Sequence, residues 1–382
     1  MIIAIDATSI GSHLGGDETL VRGLVRGLVS TARPDDAVLV LAAAGATLPR
    51  CVSEHPRFAV ERLARRAGPV HFAIDLPRWL SGVADRHGRP DVVVTNTHAP
   101  LRSPSPVALV VPDLSFLHVP GAYPPATRLR LRLLVRHQVR SVGAVLTISE
   151  FCRQDLISSY RLDPEAVSVV PLTIDEPRPV PAGARAALGE RGVRGPYLLY
   201  LGNLHPRKNV PRAIRAFLSV RRTTPELASH QLVVAGRRWF GGDDEMAAAA
   251  GAPEGAMLFL DGVDDDEREA LLRDAEALVY LSTFEGFGLP PLEAMARDTP
   301  VLASTATAIP EVCGGAALLV DPLDDDAVVA GMRRVLVDVP LRDRLVRAGR
   351  LRVAHYAVST TGAALREALA PVVGRQGPSS RQ

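Results

Sequence analysis

Two glutamates that flank a glycine-containing turn could hold an anionic, hydroxyl-rich ligand. The segment reads Glu285-Gly-Phe-Gly-Leu-Pro-Pro-Leu-Glu293, and it lies between an apolar, strand-like run and a helix predicted over about 292–296. Gly286 and Gly288 leave backbone N–H groups unshielded, and a helix start adds partial positive charge, so the turn suits a diphosphate. The carboxylates can accept hydrogen bonds from sugar hydroxyls. The alternative is an ordinary strand-to-helix turn, with Glu285 as a capping acid and Glu293 in solvent.

A pair of adjacent cations follows another strand-like run. The segment Gly202-Asn-Leu-His-Pro-Arg-Lys-Asn209 comes directly after YLLYL. The guanidinium of Arg207 offers a planar fork of donors and the ammonium of Lys208 a point charge, and together they could neutralise a diphosphate. Taken alone, the segment is equally compatible with a solvated basic turn.

A series of short apolar runs supplies the predicted strands that would position these residues. The runs are rich in Val, Ile and Leu and lack polar alternation, which is typical of strands buried on both faces of a parallel sheet. The segments between them are amphipathic with helical period, as in residues 20–29. The predicted strands lie at 1–5, 37–43, 91–96, 107–113, 144–149, 167–171, 197–203, 231–236, 257–262, 277–282, 300–304 and 317–321.

Strand–helix alternation in both halves predicts an α/β protein with two doubly wound, Rossmann-like parallel-sheet domains. We expect the first domain over 1–172 and the second over 197–355, joined by a linker at 173–196 that is rich in Pro, Gly and charge. A helix after 356 is expected to pack back on the first domain, followed by a polar tail. Ligands of open α/β sheets bind beyond the carboxyl ends of the strands, so both domains should present their strand-end loops to an interdomain cleft.

Composition excludes several function classes. The formal net charge of +2 argues against nucleic acid as a partner. The sparse cysteines form no metal-binding or redox spacing and indicate reduced thiols in the cytoplasm. The first residues lack a basic region, Asp6 interrupts their apolar run, and no run approaches 18 apolar residues. We therefore expect neither a signal peptide nor a transmembrane helix.

The segment from Glu285 to Glu293 resembles the signature of the family-4 glycosyltransferases, which have the GT-B fold. In that family two glutamates seven residues apart flank Gly-Phe-Gly-Leu-Pro, and the match here is complete. The resemblance implies that Glu285 contacts hydroxyls of the donor sugar and that Glu293 holds the nucleotide ribose. It implies that the first domain, 1–172, binds the acceptor and that the second, 197–355, binds the nucleotide-sugar donor. It implies a donor-binding set of Gly15, Gly16, Gly202, Asn203, Val263, Gly286, Phe287, Gly288, Leu289 and Glu293.

The resemblance also implies a reaction, in which a hexose moves from a nucleotide-diphosphate sugar to an acceptor hydroxyl with retention of configuration. Arg207, Lys208 and Glu285 are then the catalytic candidates, because negative charge grows on the diphosphate as the bond breaks. No protein nucleophile, cofactor or metal is expected. The first half resembles mannosyltransferase-like members, which favours GDP-mannose over UDP-sugars, and the acceptor would be a glycan, a lipid-linked sugar or a small molecule.

Acidic runs near the second-domain strands have a structural interpretation. The segment 258–272 resembles the family segment that meets the nucleotide base, with Gly262 and Val263 offering backbone groups. The aspartates at 264–266 could suggest a metal site, but they are better explained as caps of a helix N-terminus. The same interpretation applies to the aspartates at 324–326.

One position departs from the family pattern. Relatives usually end the strand near residue 112 in His-Asp, with the histidine beside the donor sugar, whereas this chain has Pro112-Asp113. Proline cannot donate a side-chain hydrogen bond. Either the histidine is dispensable, or His98 or His118 replaces it near Asp113, or catalysis is impaired. Pro112 therefore leaves open a catalytically impaired nucleotide-sugar-binding homologue. A separate alternative is a sugar-nucleotide epimerase on a related two-domain scaffold.

A basic helix is predicted over 126–141. Its arginines at i, i+4 spacing could rest on anionic lipid, which predicts weak peripheral contact with the inner face of the membrane. A solvated helix face is the alternative. The arginines are Arg128, Arg132, Arg136 and Arg140.

Overall fold

The computed structural model describes residues 1–12, 15–64, 68–237 and 243–374, and these form two parallel sheets. Each predicted apolar run is a strand, and the residue ranges agree to within a few positions. The strands are β1 (Ile2–Ala7), β2 (Ala37–Ala43), β3 (Phe58–Leu63), β4 (Val92–Asn96), β5 (Val107–Val110), β6 (Ala144–Thr147), β7 (Val167–Val169), β8 (Tyr197–Leu201), β9 (Gln231–Ala235), β10 (Met257–Leu260), β11 (Ala277–Tyr280), β12 (Val301–Ser304) and β13 (Leu318–Val320).

Helices connect successive strands and cover the sheets. They are α1 (Gly16–Ser30), α2 (Arg50–Ser53), α3 (Gly68–Val70), α4 (Leu76–His87), α5 (Ser115–His118), α6 (Pro125–Ser141), α7 (Glu150–Tyr160), α8 (Ala182–Glu190), α9 (Val210–Thr223), α10 (Asp243–Ala249), α11 (Asp265–Asp274), α12 (Leu289–Met295), α13 (Ile309–Cys313), α14 (Asp325–Val337), α15 (Val339–Val353) and α16 (Val358–Gly374). A π-helical turn, His71–Asp75, joins α3 to α4.

The chain divides into two compact units. Unit 1 comprises 1–117, 125–174 and 356–382, and unit 2 comprises 118–124 and 175–355. The short segment 118–124 and most of the predicted linker therefore belong to unit 2. Within that linker, α8 is tied to α11 by the ion pair between Arg185 and Asp274, at 2.7 Å. The predicted polar tail beyond 374 lies outside the described residues.

Unit 1 contains a seven-stranded parallel sheet in the order β3-β2-β1-β4-β5-β6-β7. Strand β3 was not predicted, because the charged residues Glu61 and Arg62 interrupt its apolar run, and it lies half-buried at the edge of the sheet. The C-terminal helix α16 packs on α1 in this unit. The helices approach closely at two glycines: a Cβ on Gly362 would lie 2.2 Å from the carbonyl oxygen of Gly27.

Unit 2 contains a six-stranded parallel sheet in the order β10-β9-β8-β11-β12-β13. In both sheets the order reverses next to the first strand, between β1 and β4 in unit 1 and between β8 and β11 in unit 2. Loops that leave such neighbouring strands diverge to opposite faces, and ligands bind in the crevice between them. These two positions are therefore where the fold favours a site.

Helix α6 confirms the predicted basic helix but not the whole of the predicted arginine face. Arg128 donates to the backbone oxygen of Phe116, and Arg140 donates to that of Tyr160. Two exposed leucines, Leu129 and Leu133, lie on the helix. Contact with a membrane surface stays a prediction. Among the described residues, no helix is both long and apolar enough to cross a membrane.

Candidate functional site

The predicted basic pair lies where β8 ends, at the strand-order reversal of unit 2. Pro206–Lys208 forms a single 3-10 turn, because Pro206 starts the turn and the His205 ring accepts a hydrogen bond from the backbone N–H of Arg207. Asn209 then adopts a left-handed conformation with φ of 56°, and α9 begins at the next residue. The turn thus holds two successive cations at the carboxyl end of the sheet.

Glu285 meets both cations although it lies 77 residues from Lys208 in the chain. The Nζ of Lys208 donates to Glu285 Oε1 at 2.5 Å and to the Tyr280 hydroxyl at 2.8 Å. The Tyr280 hydroxyl donates in turn to Glu285 Oε1 at 2.9 Å. Ammonium, phenol and carboxylate therefore form a closed triangle whose three bonds fix each side chain.

Arg207 attaches to the other carboxylate oxygen and to the backbone of the same loop. Its Nη1 donates to the carbonyl of Phe284 at 3.1 Å and lies 3.4 Å from Glu285 Oε2. The backbone N–H of Thr283 donates to the carbonyl of Arg207 at 2.8 Å. The two loops that follow β8 and β11 are thus joined by side-chain and backbone bonds.

The charges of this cluster determine its protonation. Burial opposes ionisation of Glu285, but Lys208 and Arg207 outweigh it and lower the pKa of Glu285 to about 2. Burial and the same two cations lower the pKa of His205 to about 4. At neutral pH the cluster therefore contains two cations, one carboxylate and a neutral imidazole, and it carries one net positive charge.

Glu293 lies in a separate ion pair. Its Oε1 contacts Arg268 of α11, and this carboxylate, together with its hydrogen bond, raises the pKa of Arg268 despite burial. Its Oε2 is buried and has no hydrogen-bond partner among the described residues. A buried carboxylate oxygen without a donor is costly, so this atom is available to a hydroxyl donor.

The backbone of the Glu285–Glu293 segment requires glycine at position 288. Gly288 has φ of 122°, and a Cβ there would lie 2.7 Å from the Ile309 side chain. Leu289 then starts α12, three residues before the predicted start near 292, because prolines are tolerated in the first turn of a helix. Phe287 is buried, and Gly286 lies beside it in the turn.

The glycines after β8 and β9 let two backbones approach. Gly202 has φ of 139°, and the adjacent Asn203 accepts a hydrogen bond from the Tyr200 hydroxyl at 3.0 Å. A Cβ on Gly236 would lie only 1.9 Å from the carbonyl oxygen of Gly202. The loop that leads to the basic pair therefore packs directly against Gly236, at the end of the neighbouring strand β9, where no side chain separates the two backbones.

We expect Gly236→Ala to destabilise the protein by about 1–3 kcal/mol, because a methyl group must displace the Gly202 backbone. Thermal or urea unfolding would measure the loss. Gly183→Ala is the matched control, since it lies in α8 of the same unit and a Cβ added there would have no atom within 4 Å. Equal stability of the two variants would contradict the close approach of the strand ends.

The structure also shows the acidic runs and the Gly262–Val263 segment of the second half. Asp264 caps α11 in a capping box with Glu267, and Asp324 caps α14, so both capping predictions are confirmed. The carbonyl of Gly262 accepts a hydrogen bond from Arg191 at 2.8 Å, and the neighbouring Val263 is half-buried. Among the described residues, no group of three or more His, Cys, Asp or Glu side chains could hold a metal.

The candidates from the first half do not form one group. Gly15 and Gly16 lie exposed at the start of α1 in unit 1. Asp113 accepts hydrogen bonds from the backbone N–H and hydroxyl of Ser115, the first residue of α5. His98 also lies in unit 1. His118 belongs to unit 2, and its ring stacks on Phe284 with centroids 5.4 Å apart.

Sequence reasoning missed Tyr280 and Arg268, because nothing in a strand or helix pattern indicates which side chains meet Glu285 or Glu293. A usable signal did exist for the basic pair. Lys208 is the only lysine in a sequence that otherwise uses arginine for its basic residues. Arginine cannot place one compact charge between a phenol and a carboxylate, so this position requires lysine chemistry.

Two family models match the chain in succession. The model described as Glycosyltransferase Family 4 matches residues 14–178, and the model described as Glycosyl transferases group 1 matches residues 190–352. The chain belongs to glycosyltransferase family 4. The two matches cover most of units 1 and 2, and the second contains the whole Lys208–Glu285–Glu293 region of this family-4 glycosyltransferase.

Curated relatives and solved structures agree with the family. The O-antigen chain mannosyltransferase B of Escherichia coli is 31% identical over 60% of this chain and 61% of its own length. The D-inositol 3-phosphate glycosyltransferase of Salinispora arenicola is 32% identical over 60% of this chain and 54% of its own length. The matches thus span little more than half of these relatives.

The fold of this family-4 glycosyltransferase is GT-B. Anabaena HepE, solved in complex with UDP-glucose, has a TM-score of 0.71 and is 17% identical, with 97% of this chain and 99% of HepE covered. At that identity the likeness concerns the fold alone. It confirms the predicted architecture of two Rossmann-like domains.

Proposed function

We propose that the protein is a retaining glycosyltransferase that moves a hexose from a nucleotide-diphosphate sugar to an acceptor hydroxyl, with the donor bound on unit 2. The observation that carries this proposal is the meeting of Arg207, Lys208 and Glu285 at the strand-order reversal of the six-stranded sheet. Membership of family 4 supports the reaction class and retention of configuration. The mannosyltransferase and inositol-phosphate glycosyltransferase relatives support a sugar transfer.

The basic pair would bind the diphosphate. Both cations are more accessible than the acid between them: the exposed fractions are 19% for the Arg207 side chain, 13% for Lys208 and 7% for Glu285. A ligand can therefore reach the cations while Glu285 holds them in place. As the sugar–phosphate bond breaks, charge grows on the leaving diphosphate, and fixed cations stabilise it without reorganising. This role makes Arg207 and Lys208 the main catalytic groups.

The two acids would order the rest of the donor. Glu285 is ionised at neutral pH, so its Oε2 can accept a hydrogen bond from a sugar hydroxyl in addition to its long contact with Arg207. The buried Oε2 of Glu293 suits a ribose hydroxyl. Neither role needs a metal, because Arg207 and Lys208 supply the positive charge, and we propose metal-independent transfer.

GDP-mannose is the preferred donor in this proposal, supported by the mannosyltransferase relative. A UDP-sugar is the alternative, supported by the UDP-glucose complex of Anabaena HepE. A catalytically impaired nucleotide-sugar-binding protein is the second candidate function. The observation that favours it is Pro112, which stands where the family resemblance implies a histidine beside the donor sugar.

The single lysine provides a direct test of diphosphate binding. Protein grown with lysine labelled with ¹³C at Cε has one labelled residue, Lys208, whose signal can be followed by NMR without chemical modification. We expect UDP or GDP to shift this signal saturably, because a diphosphate adds negative charge at the ammonium. The nucleosides uridine and guanosine, which lack phosphate, are the matched controls and should leave it in place.

The same titration has an outcome that rejects the proposal. If a nucleotide raises the melting temperature, and so binds the native protein, but leaves the Lys208 signal unchanged at saturation, the diphosphate lies elsewhere. A separate assay distinguishes the two candidate functions. An active transferase releases nucleoside diphosphate from GDP-mannose or UDP-glucose, whereas an impaired homologue binds the donor without turning it over.

A further inference from the structure

A short segment of the chain, 118–124, belongs to unit 2 although the residues before and after it belong to unit 1. Its centre, Pro120–Ala122, is a single 3-10 turn that begins at a proline. Ala122 is buried and Tyr123 is half-buried, whereas His118 is exposed. A segment that is so short and so largely exposed depends on a few specific contacts for its place in unit 2.

The first contact of the segment is with the ring of His205, directly before the basic pair. The Nδ1 atom of His205 accepts a hydrogen bond from the backbone N–H of Arg207 at 3.3 Å. Burial lowers the pKa of His205, and a hydrogen bond to the backbone of Ala122 opposes that shift, as a bond to a carbonyl oxygen does. Only one nitrogen of a neutral imidazole carries hydrogen, so Nε2 is the donor to the Ala122 carbonyl. The ring thus joins the segment to the turn of the basic pair.

Two ring contacts hold the rest of the segment. Tyr123 lies against the same His205 ring, with centroids 6.0 Å apart. The His118 ring stacks on Phe284, with centroids 5.4 Å apart and an angle of 18° between the planes. Phe284 lies in the loop after β11, and its carbonyl accepts a hydrogen bond from Arg207 Nη1 at 3.1 Å. The segment therefore contacts both loops of the candidate site, the one after β8 and the one after β11.

The turn that contains the basic pair is short and needs support from outside. Within it the backbone N–H of Lys208 donates to the carbonyl of His205 at 2.8 Å. Short 3-10 turns have poorer hydrogen-bond geometry than α-helices, and adjacent cations repel each other. A further bond through the buried ring of His205 restricts the turn, and cations held in place can stabilise developing charge without reorganising.

We infer that segment 118–124 is a positioning element for the basic pair, and that it acts through the hydrogen bond from His205 Nε2 to the Ala122 carbonyl. The inference rests on the proposed function for the role of the two cations in transfer, and on the contacts alone for their positions. His205 is a positioning residue, because it acts on Arg207 and Lys208 through the backbone of their turn.

Two amide variants separate the two hydrogen bonds of the ring. Asparagine accepts a hydrogen bond from the N–H two residues on, so His205→Asn keeps the bond from Arg207 and loses the bond to Ala122. The longer amide of glutamine extends to the place of Nε2 and can donate there, so His205→Gln keeps the bond to Ala122 and loses the bond from Arg207. The two variants therefore have opposite effects on the segment and on the cap of the turn.

A second buried histidine of unit 2 provides the matched control. His230 is 8% exposed, against 7% for His205, and its Nε2 lies 3.0 Å from Glu276 Oε2. It directly precedes β9, at the edge of the sheet opposite the basic pair. His230→Asn therefore removes a buried contact made through Nε2, as His205→Asn does, but away from the candidate site.

The ¹³C signal of the single lysine reports the position of the basic pair before any nucleotide is added. Full-length wild type and variants, labelled at lysine Cε, are compared first without ligand and then with UDP and GDP. Melting temperature is measured on the same samples. The value of kcat is measured as release of nucleoside diphosphate from GDP-mannose or UDP-glucose.

We expect His205→Asn to displace the Lys208 signal of the nucleotide-free protein and to lower kcat by about 10–10²-fold, the effect of misplacing a catalytic group by about 1 Å. His205→Gln should displace the signal less and keep kcat within about fivefold of wild type, the effect of one neutral hydrogen bond. His230→Asn should lower the melting temperature and leave both the Lys208 signal and kcat unchanged.

A variant within the segment checks that both of its contacts act together. His118→Ala removes the ring that stacks on Phe284, and since His118 is exposed we expect the variant to fold normally. It should lower kcat by about fivefold, the effect of one ring contact. Combined with His205→Asn it should add no more than about twofold, because contacts that hold one segment are not independent.

Several outcomes overturn the inference. A larger effect of His205→Gln than of His205→Asn, on the signal and on kcat, would show that the ring only caps the turn. Wild-type behaviour of His205→Asn, or equal displacement of the signal by His230→Asn, would remove the role of the bond to Ala122. Fully additive effects of His205→Asn and His118→Ala would show that the contacts do not act through one segment.

Failure of the proposed function gives a different result. A wild-type Lys208 signal that neither UDP nor GDP moves, in a protein that nucleotide stabilises, contradicts the proposed donor site. The comparison of nucleotide-free variants still decides the role of segment 118–124 in that case, because it depends on the position of Lys208 and not on binding or turnover.

Discussion

Replacing Lys208 with alanine is expected to lower kcat by about 10²–10³-fold, the usual cost of removing one group that stabilises transition-state charge. The reason is geometric as well as electrostatic. The Nζ of Lys208 is held by Glu285 and Tyr280 in the position where it would meet the leaving diphosphate. Release of nucleoside diphosphate from GDP-mannose or UDP-glucose, measured with and without added acceptor sugar, is the assay.

Two further variants sharpen this measurement. Lys208→Arg keeps the charge but replaces a point donor with a planar fork, so we expect it to recover only a small part of the activity. Arg215→Ala removes an exposed cation from α9 of the same unit and should leave kcat unchanged. Near-normal turnover by a folded Lys208→Ala protein would show that the basic pair does not stabilise the leaving group.

Replacing Glu285 with glutamine is expected to destabilise the folded protein by about 3 kcal/mol at pH 7, because it leaves two cations around a buried neutral group. The effect should depend on pH. The pKa of Glu285 falls from its ordinary value of 4.5 to about 2 in the folded protein. A carboxyl group with a depressed pKa contributes stability above its unfolded pKa and loses that contribution as pH falls towards its folded pKa.

The difference in unfolding free energy between wild type and Glu285→Gln should therefore be constant above about pH 5. It should narrow as pH falls from 4.5 towards 2. Urea unfolding at pH 7, 4.5 and 3 measures it. Glu150→Gln is the control, since its side chain is 53% exposed in its pair with Arg153 and should change stability little at any pH. A difference for Glu285→Gln that stays constant down to pH 3 would show that this carboxylate is not held ionised by the basic pair.

The fold could be predicted in large part because buried parallel strands have a characteristic sequence pattern. Runs such as 37–43 are short and apolar on both faces, which is typical of strands covered on both sides of a sheet. Strand β3 was not predicted because an edge strand has one face partly in solvent and therefore includes charged residues. Helix α12 begins at Leu289, before the predicted start near 292, because the first helical turn tolerates prolines.

The predictions for the site divide in a similar way. The spacing between Glu285 and Glu293 and the adjacency of Arg207 and Lys208 are properties of short segments, so they were visible in the sequence. The contact between Lys208 and Glu285 was not, since it depends on β8 and β11 being neighbours in the sheet. The family resemblance placed Lys208 and Glu285 in one site, which the local sequence patterns could not do.

The sequence by itself determined the strands, the helical periods, the glycine turns and the acids and bases at strand ends, because each depends on neighbours along the chain. Only the tertiary structure decided which of these residues meet. In the tertiary structure Tyr280 hydrogen-bonds within the cluster of the basic pair, and Glu293 forms an ion pair with Arg268. Asp6 pairs with His71, and Thr95 lies in the strand next to Asp6. The physical reason is that strand order and register, which bring distant residues within hydrogen-bonding distance, are set by packing of the whole sheet and not by any single segment.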